Sequence, residues 1–331
     1  MSNILITGAS GFIGSFMVEE ALDRGMNVWA AVRRSSSKRY LTDKRINFIE
    51  LDFGNKALLK QQLSGLHFDY VIHAAGVTKC THTEDFYNMN TSGTVNLIEA
   101  IRETGMNISR FVFISSLSVF GPVREQQPYQ DIKDTDPKRP DTHYGMSKDM
   151  AEEFVFAQRD IPSITLRLTG VYGPREKDYF QMVKSIKSHM DFAVGYRPQS
   201  LTFVYVKDVI QAAFLALDHG TLGKAYFVSD GVNYSSRTFS DLICQELGIH
   251  SVLRIKAPIW LLHLLSAGGQ CIGKLTGRMP VLNLDKYKIM KQRNWQCDIE
   301  PTRRELGYQP QVLLAEGVHL SVEWYRKNHW I

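Results

Sequence analysis

A tyrosine and a lysine four positions apart can act as one acid–base unit on a helix, because positions i and i+4 share a face. This spacing occurs four times, at Tyr40/Lys44, Tyr129/Lys133, Tyr144/Lys148 and Tyr287/Lys291. Only the third pair lies in a strongly helical pattern, residues 142–160, which Thr142 can cap and which follows the serines of SSLSVFG (115–121). We therefore select Tyr144 and Lys148 as the candidate acid–base pair.

The positive charge of the lysine could make the tyrosine a better acid–base group. A free tyrosine has a pKa of about 10 and is a poor acid–base group at neutral pH. A neighbouring ammonium group favours the phenolate, and each unit by which it lowers the pKa corresponds to about 1.4 kcal/mol. We expect Lys148 to lower the pKa of Tyr144. The other interpretation is a pair of ordinary surface residues on a helix.

Three glycines, Gly8, Gly11 and Gly14, follow the first apolar run of the chain. A helix N-terminus has unpaired N–H groups and a partial positive charge, and it binds phosphate where no side chain blocks the backbone. The glycines stand between a predicted strand and a predicted helix, with a second strand following. This position favours a nucleotide-binding turn over a tight turn without a ligand.

Strands and amphipathic helices alternate through the first half of the sequence. The predicted strands are 3–8, 27–34, 46–53, 68–76, 110–116, 163–171 and 224–230, and the strongest helices are 12–25, 83–105 and 142–160. The strands are rich in Val, Ile and Phe rather than alternating, as expected when both faces of a sheet are covered. This rhythm predicts an α/β fold with a doubly wound, Rossmann-type parallel sheet.

The rhythm changes near residue 173, and we predict two lobes from it. Residues 1–173, with 200–230 returning to them, would form the dinucleotide-binding domain. Residues 174–199 and 231–331 would form a smaller, mostly C-terminal substrate lobe.

Composition narrows the class of protein. The 331 residues carry a net charge of +5 without a dense basic block, so we expect no nucleic-acid partner. The four scattered cysteines have no metal-ligand or redox spacing, which indicates a reducing, cytoplasmic compartment and no metal site. The apolar stretch 257–273 is short for a membrane span. We expect a core or lid helix there, with contact to a membrane surface as the less favoured alternative.

Six motifs resemble, in the same order, those of the extended short-chain dehydrogenase/reductase family. They are TGASGFIG (7–14), HAAG (73–76), SSLSVFG (115–121), YGMSK (144–148), LRLTGVYGP (166–174) and FVYVKDV (203–209). That family includes sugar-nucleotide epimerases and dehydratases, 3β-hydroxysteroid dehydrogenases and dihydroflavonol reductases. The motif details are most similar to the last two groups. The resemblance covers nearly the whole chain.

The resemblance implies a role for each motif. Tyr144 would move a proton, Ser116 would hydrogen-bond the substrate oxygen, and Lys148 would also hold the nicotinamide ribose. Ser115 and Ser118 are then local hydrogen-bonding residues, and His73 is a packed strand residue. Cofactor contacts would come from Gly8, Ser10, Gly11, Phe12, Ile13, Gly14, Arg33, Arg34, Asp52, Phe53, Ala74, Ala75, Gly76, Tyr144, Lys148, Gly170 and Val171.

The second strand indicates which dinucleotide binds. NAD-binding members usually carry an acidic residue at its end to hold the ribose hydroxyls. Here Arg33 and Arg34 stand there instead. Arginine suits phosphate because its planar donors bind two oxygens at once. We therefore favour NADP(H), with NAD as the alternative.

Departures from the family pattern indicate the reaction. Leu117 and Ser118 replace the Asp-Glu of sugar-nucleotide dehydratases, so a dehydratase is disfavoured. Gly170 replaces an Asn, and Leu201 an Arg, with which epimerases contact a diphosphate. Arg175, Lys177 or Arg197 could substitute for them.

We therefore predict an oxidoreductase that moves hydride between NADP(H) and a secondary alcohol or ketone of a small, apolar substrate. A nucleotide-sugar epimerase of the same fold is the first alternative, and a non-catalytic NADP-binding sensor is the second. The resemblance also implies a homodimer through helices 83–105 and 142–160, where Phe86, Met89 and Phe154 appear as surplus apolar residues.

Overall fold

The computed structural model describes residues 1–276 and 282–331. Seven parallel strands form the main sheet. Counting only these seven in chain order, from first to seventh, their order across the sheet is 7-6-5-4-1-2-3. The strand order reverses between the first and fourth strands, where doubly wound folds place their dinucleotide. The predicted Rossmann-type fold class is therefore confirmed.

The seven predicted strands are all present; six of them end earlier than predicted, and the strand over 110–116 has the predicted bounds. The strands of the structure are β1 (Asn3–Thr7), β2 (Asn27–Val32), β3 (Asn47–Glu50), β4 (Tyr70–His73), β5 (Arg110–Ser116), β6 (Ser163–Leu168), β7 (Gly170–Tyr172), β8 (Met190–Val194), β9 (Ser200–Leu201), β10 (Phe203–Tyr205), β11 (Lys224–Val228), β12 (Tyr234–Ser235) and β13 (Leu253–Ala257). Strands β7 to β10, β12 and β13 pair outside the main sheet, and β11 is its seventh strand.

The helices flank the sheet or build the second lobe. They are α1 (Phe12–Asp23), α2 (Lys56–Leu63), α3 (Glu84–Phe86), α4 (Gly93–Glu103), α5 (His143–Ala157), α6 (Asp178–Lys187), α7 (Val206–Asp218), α8 (Thr238–Leu247), α9 (Ile259–Thr276), α10 (Leu284–Lys291), α11 (Glu300–Leu306) and α12 (Leu314–Lys327). Thr142 caps α5 as predicted, since its side chain accepts a hydrogen bond from the Gly145 N–H at 2.9 Å. Among the residues described, no helix is long and apolar enough to cross a membrane.

Both faces of the main sheet are covered. In β1, Ile4 and Ile6 pack with α1 and α7, while Leu5 faces α2 and α4 on the other side. All three side chains are fully buried. This two-sided burial explains why the strands lack an alternating pattern, and each such side chain contributes about 1.5–3 kcal/mol.

A third apolar cluster supports the second lobe. Its centre is aromatic: the rings of Tyr172 and Phe239 lie 5.3 Å apart, and Phe203 lies between them and Tyr234. Helices α6, α8 and α12 pack around these rings. The predicted division into a dinucleotide-binding domain, residues 1–173 with 200–230, and a substrate lobe, residues 174–199 and 231–331, stays a prediction.

Two predicted elements are interrupted in the structure. The strand predicted over 163–171 leaves the main sheet after Leu168, and Gly170–Tyr172 pairs with β10 instead. The helix predicted over 83–105 contains a π-helical turn, Tyr87–Ser92, between α3 and α4. Both interruptions lie where the chain borders the candidate site.

Candidate active site

The glycine turn after β1 leaves no room for side chains. Gly8 has φ +67°, and a Cβ there would lie 2.6 Å from the carbonyl oxygen of Ala74. A Cβ on Gly14 would overlap the carbonyl oxygen of Gly8. Gly11 caps α1 without a side-chain hydrogen bond, so the first N–H groups of this helix face outward without a side-chain partner. Ser10, Phe12 and Ile13 complete the turn, which suits an anionic group.

The other predicted cofactor residues follow the carboxyl ends of parallel strands, and those ends meet at one edge of the sheet. Arg33 and Arg34 come directly after β2, and both are exposed. Asp52 and Phe53 follow β3, where Asp52 is exposed and Phe53 is buried. The segment 74–76 follows β4.

His73 supports this edge from inside the sheet. It is fully buried between two hydroxyl groups, with Nδ1 2.7 Å from Thr7 Oγ1 and Nε2 3.0 Å from Thr94 Oγ1. Burial and the nearby Lys148 charge lower the pKa of His73 to about 3, so its ring is neutral. Thr7 Oγ1 also accepts a hydrogen bond from the Ala75 N–H. The predicted packing role of His73 agrees with these contacts.

Ser116, at the end of β5, lies beside Tyr144 of α5. The Ser116 hydroxyl lies near the Tyr144 hydroxyl and donates to Ser118 Oγ at 3.1 Å. Ser115 is buried and its hydroxyl faces Glu152 behind the sheet end, away from Tyr144. The arrangement of these serines favours Ser116 as the group that meets a substrate.

The predicted lowering of the Tyr144 pKa by Lys148 is wrong for this arrangement. Burial raises the pKa of Tyr144, and the opposing contribution is the hydrogen bond with Ser116. The Lys148 ammonium instead donates to the carbonyl oxygen of Ile114 at 2.8 Å. Tyr144 is consequently protonated at neutral pH, which suits a proton donor.

Lys148 points toward the segment after β4. A Cβ on Gly76 would lie 3.3 Å from Lys148 Nζ. Because glycine has no side chain, the space beside the Lys148 ammonium group stays open. Burial lowers the pKa of Lys148 to about 8, while the charge of Glu152 opposes that shift. Glu152 is itself fully buried and paired with Arg167 and Lys138. A buried ionic network therefore lies behind the lysine.

Asn90 is a site residue that the sequence analysis missed. It lies in the π-helical turn, is fully buried, and its side chain bonds both the N–H and the carbonyl oxygen of Val77. It also donates to Ser147 Oγ at 2.9 Å. Asn90 thereby fixes the segment after β4 against the helix that carries Tyr144. The available signal was a polar residue on the inward face of a helix, between Phe86 and Leu97.

The other Tyr-x-x-x-Lys pairs lie outside this arrangement. Tyr287 and Lys291 do share a helix, α10, but the Tyr287 ring packs on His263 at 4.9 Å. Tyr129 donates its hydroxyl hydrogen to the carbonyl oxygen of Pro198. Of the four pairs, only Tyr144/Lys148 lies beside a serine at the end of a strand of the main sheet.

A cavity of about 360 Å³ opens beside Ser116. It is lined by residues from the ends of β5 and β6, from β8 to β10, and from α6, α8 and α10: Ser116, Leu117, Ser118, Leu168, Thr169, Gly170, Tyr179, Met182, Phe192, Ala193, Val194, Gln199, Leu201, Thr202, Phe203, Ser236, Phe239, Ile289, Met290 and Trp295. None of these described lining residues is charged.

Two of the departures from the epimerase pattern lie in this lining. A Cβ on Gly170 would lie 2.5 Å from the Tyr179 hydroxyl, so an Asn there would require the Tyr179 side chain to move. Leu201 lines the cavity where an Arg would otherwise supply charge. Val171 follows Gly170 in β7, where it is partly buried and packs against the core.

The proposed substitutes for these contacts do not line the cavity. Arg175 is bound instead to α1, where it donates to Ser15 Oγ and pairs with Glu19. Its guanidinium also stacks 4.0 Å from the centre of the Phe16 ring. Lys177 and Arg197 are exposed and absent from the lining. In this arrangement Arg175 is held against α1, and its possible role as a diphosphate contact stays a prediction.

Known proteins are similar to this chain in sequence and in fold. Residues 4–229 match the model of the NAD dependent epimerase/dehydratase family. The 3-beta-hydroxysteroid dehydrogenase of Mycolicibacterium neoaurum is 27% identical, over 98% of this chain and 92% of that protein.

Two solved structures are similar in fold. The UDP-glucose 4-epimerase of Thermotoga maritima with UDP-glucose has a TM-score of 0.80 and 23% identity, covering 99% of each chain. The Bordetella bronchiseptica enzyme WbmG in complex with NAD has a TM-score of 0.78 and 22% identity, covering 98% of this chain and 94% of that one. Together with the family match, the site geometry leads to one conclusion: the chain belongs to the NAD-dependent epimerase/dehydratase family of extended short-chain dehydrogenases/reductases and is an NAD(P)-dependent enzyme.

Proposed function

We propose that this enzyme reduces a ketone of a small, apolar substrate to a secondary alcohol with NADPH. The observation that carries the proposal is the cavity beside Ser116, whose described lining has no charged side chain. A sugar diphosphate carries two negative charges that need partners when they are partly buried. An apolar ketone needs only hydrogen-bond donors for its oxygen.

The residues of the cofactor site fit a dinucleotide. The turn at Gly8 and Gly14 is a cradle that any Cβ would fill, and the uncapped start of α1 faces it. Arg33, Asp52 and the segment 74–76 lie at the same carboxyl-terminal edge of the sheet as this turn. When bound, the nicotinamide supplies the hydride.

The chain's own residues manage the oxygen of the substrate. Ser116 lines the cavity and would donate a hydrogen bond to the carbonyl oxygen. Tyr144 would then deliver its proton to that oxygen as the carbon receives the hydride, so that the ketone gains one hydride and one proton. A tyrosine phenol is protonated at neutral pH, so Tyr144 can serve as the donor in this step.

The nucleotide-sugar epimerase is the alternative within the family. It would use the same serine, tyrosine and lysine, but it needs cationic partners for the diphosphate. The non-catalytic sensor is set aside because the chain is an NAD(P)-dependent enzyme.

A substrate panel tests the proposal. We expect purified enzyme to consume NADPH with one or more ketones from a panel of apolar cyclic and aliphatic compounds. UDP-, GDP- and dTDP-sugars should neither compete with those ketones nor be interconverted. Tight binding of a nucleotide sugar would favour the epimerase instead.

We also propose that NADP(H) is the preferred cofactor. Arg33 and Arg34 are exposed directly after β2, and within the described residues their guanidinium groups make no ion pair or hydrogen bond. A turn fixes the backbone here, since Ser36 N–H donates to the Arg33 carbonyl oxygen at 2.8 Å. Two free cations would thus face a 2′-phosphate.

Replacing both arginines by alanine should weaken NADPH binding about a hundredfold, at roughly 1.4 kcal/mol for each lost charge-assisted contact. Binding of NADH should change less than about twofold. Fluorescence titration of both cofactors measures this, with Lys44→Ala as an exposed control in the same loop. Equal affinities of the native enzyme for the two cofactors would contradict the preference.

We retain the homodimer through helices 83–105 and 142–160 as a prediction. Phe86 does not support it, because this residue is 4% exposed within one chain and packs on Tyr144. Met150, 49% exposed on α5, is the better candidate contact. We expect light scattering at micromolar concentration to give a dimer mass, and Met150→Glu to shift it toward the monomer. A monomer mass for the native chain would contradict the prediction.

A further inference from the structure

The region around α9 concentrates positive charge. Residues 251–292 contain seven Lys and Arg but only one acidic residue, Asp285, whereas the whole chain has a net charge of +5. Outside this region the acidic and basic residues nearly cancel. Lys256 and Lys291 are exposed on either side of the apolar stretch. The net positive charge of the sequence therefore comes from this segment, in which Arg254 is paired with Asp241.

The helix inside this region exposes large apolar side chains. Trp260 is 66% exposed, Leu264 60% and Leu265 54%. Trp260 and Leu264 are four positions apart and share a face, while Leu262 and Ser266 are buried on the opposite side. The sequence predicted a core or lid helix, yet α9 adds no residue to the described cavity lining. A contiguous exposed apolar patch of this kind marks an interaction surface.

Exposed apolar side chains also occur on the strand that leads into α9 and on its partner strand, which borders the cavity. Strand β13 leads into α9 and pairs with β8, where Leu253 lies opposite Met190. Leu253 is 64% exposed, and Phe192 of β8 is 57% exposed and also lines the cavity. Helix α10 packs against α9 and contributes Ile289 and Met290 to the same lining.

We propose that this surface, formed by Phe192, Leu253, Trp260, Leu264 and Leu265 within a basic border, docks on an anionic lipid membrane. Apolar side chains enter the headgroup boundary and the lysines meet lipid phosphates, as in interfacial amphipathic helices. A second copy of this chain on the same surface would bring two groups of positively charged side chains together, and these would repel each other. An anionic lipid surface would attract them, so charge favours the membrane over a second copy. No described helix can span a bilayer, so α9 would lie on the surface.

The docked orientation would place the cavity mouth at the lipid boundary. A small apolar ketone concentrates in lipid and would reach Ser116 past Phe192. This last step rests on the proposed function, whereas the docking itself does not. Membrane binding measured without substrate therefore separates the two.

Vesicle flotation tests the docking. The full chain should bind vesicles of phosphatidylcholine with about one third phosphatidylglycerol, bind phosphatidylcholine alone at least tenfold more weakly, and dissociate at high salt. The pair Trp260→Glu and Leu264→Glu should weaken binding at least tenfold. Leu222→Glu and Leu313→Glu, at positions 53% and 51% exposed elsewhere, are matched controls that should bind normally. Unchanged NADPH affinity in every variant shows that the fold is kept.

Tryptophan emission gives a second readout. Of the five tryptophans, all of them described, Trp260 alone is exposed. Anionic vesicles should shift the emission to the blue, and Trp260→Phe should remove the shift while keeping binding. Absence of vesicle binding, or equal binding by the native chain and the double variant, would overturn the proposal. So would a dimer mass that the same double variant abolishes, since a second copy would then cover the surface.

Discussion

Tyr144→Phe should lower turnover by roughly a thousandfold, within the range of about 10²–10⁴ that a positioned acid–base group contributes. The change removes one oxygen, which is the proton donor in our account, and leaves the ring on Phe86 in place. Affinity for NADPH should change less than about twofold, because the glycine turn and Lys148 face the cofactor edge. Steady-state kinetics and cofactor titration measure the two quantities separately.

Matched controls for this variant are the other tyrosines of the four pairs. Tyr287→Phe keeps a ring on a helix with a lysine four residues later, and it should retain native turnover. Tyr129→Phe loses a hydrogen bond to Pro198 and should also stay active. Near-native turnover of Tyr144→Phe would show that the proton comes from elsewhere.

Gly14→Val should weaken NADPH binding roughly thirtyfold or more. Its side chain would overlap the Gly8 carbonyl oxygen, so the start of α1 must move away from β1. Overpacking of this kind costs about 1–3 kcal/mol, and 1.4 kcal/mol is tenfold in affinity. The measurement is NADPH titration together with a thermal melt.

A glycine at the other end of α1 provides the control. Gly25 has φ +70° but no atom within 4 Å of a Cβ. Gly25→Ala should therefore cost about 1 kcal/mol of stability through backbone strain while leaving NADPH affinity unchanged. If Gly14→Val and Gly25→Ala affect binding equally, the cofactor does not depend on the close approach at Gly14.

Local patterns made part of this site predictable. The glycine turn, the Thr142 cap and the choice among four Tyr-x-x-x-Lys pairs each depend on neighbours within a few residues. Asn90 was missed because its function comes from Val77 and Ser147, which only the fold brings to it. The same holds for Glu152, whose partner Arg167 lies on another element.

The differences from the sequence predictions have a common physical origin as well. The apolar run 257–273 was predicted to be a core or lid helix, with membrane contact as the alternative. Hydrophobicity alone does not say which face of a helix is covered, and here Leu262 is buried whereas Trp260 is exposed. The pKa of Tyr144 was expected to follow the lysine, whereas its burial dominates. The strand end after Leu168 depends on pairing with β10, which is more than thirty residues further along the chain.

The stoichiometry of NADPH use tests the central claim most directly. A reductase consumes the cofactor, whereas an epimerase regenerates it in every cycle. With the best ketone of the panel, we predict one NADPH oxidised for each alcohol formed, and no such reaction by Tyr144→Phe. Conversion of a nucleotide sugar to its epimer without net change in NADPH would contradict the account.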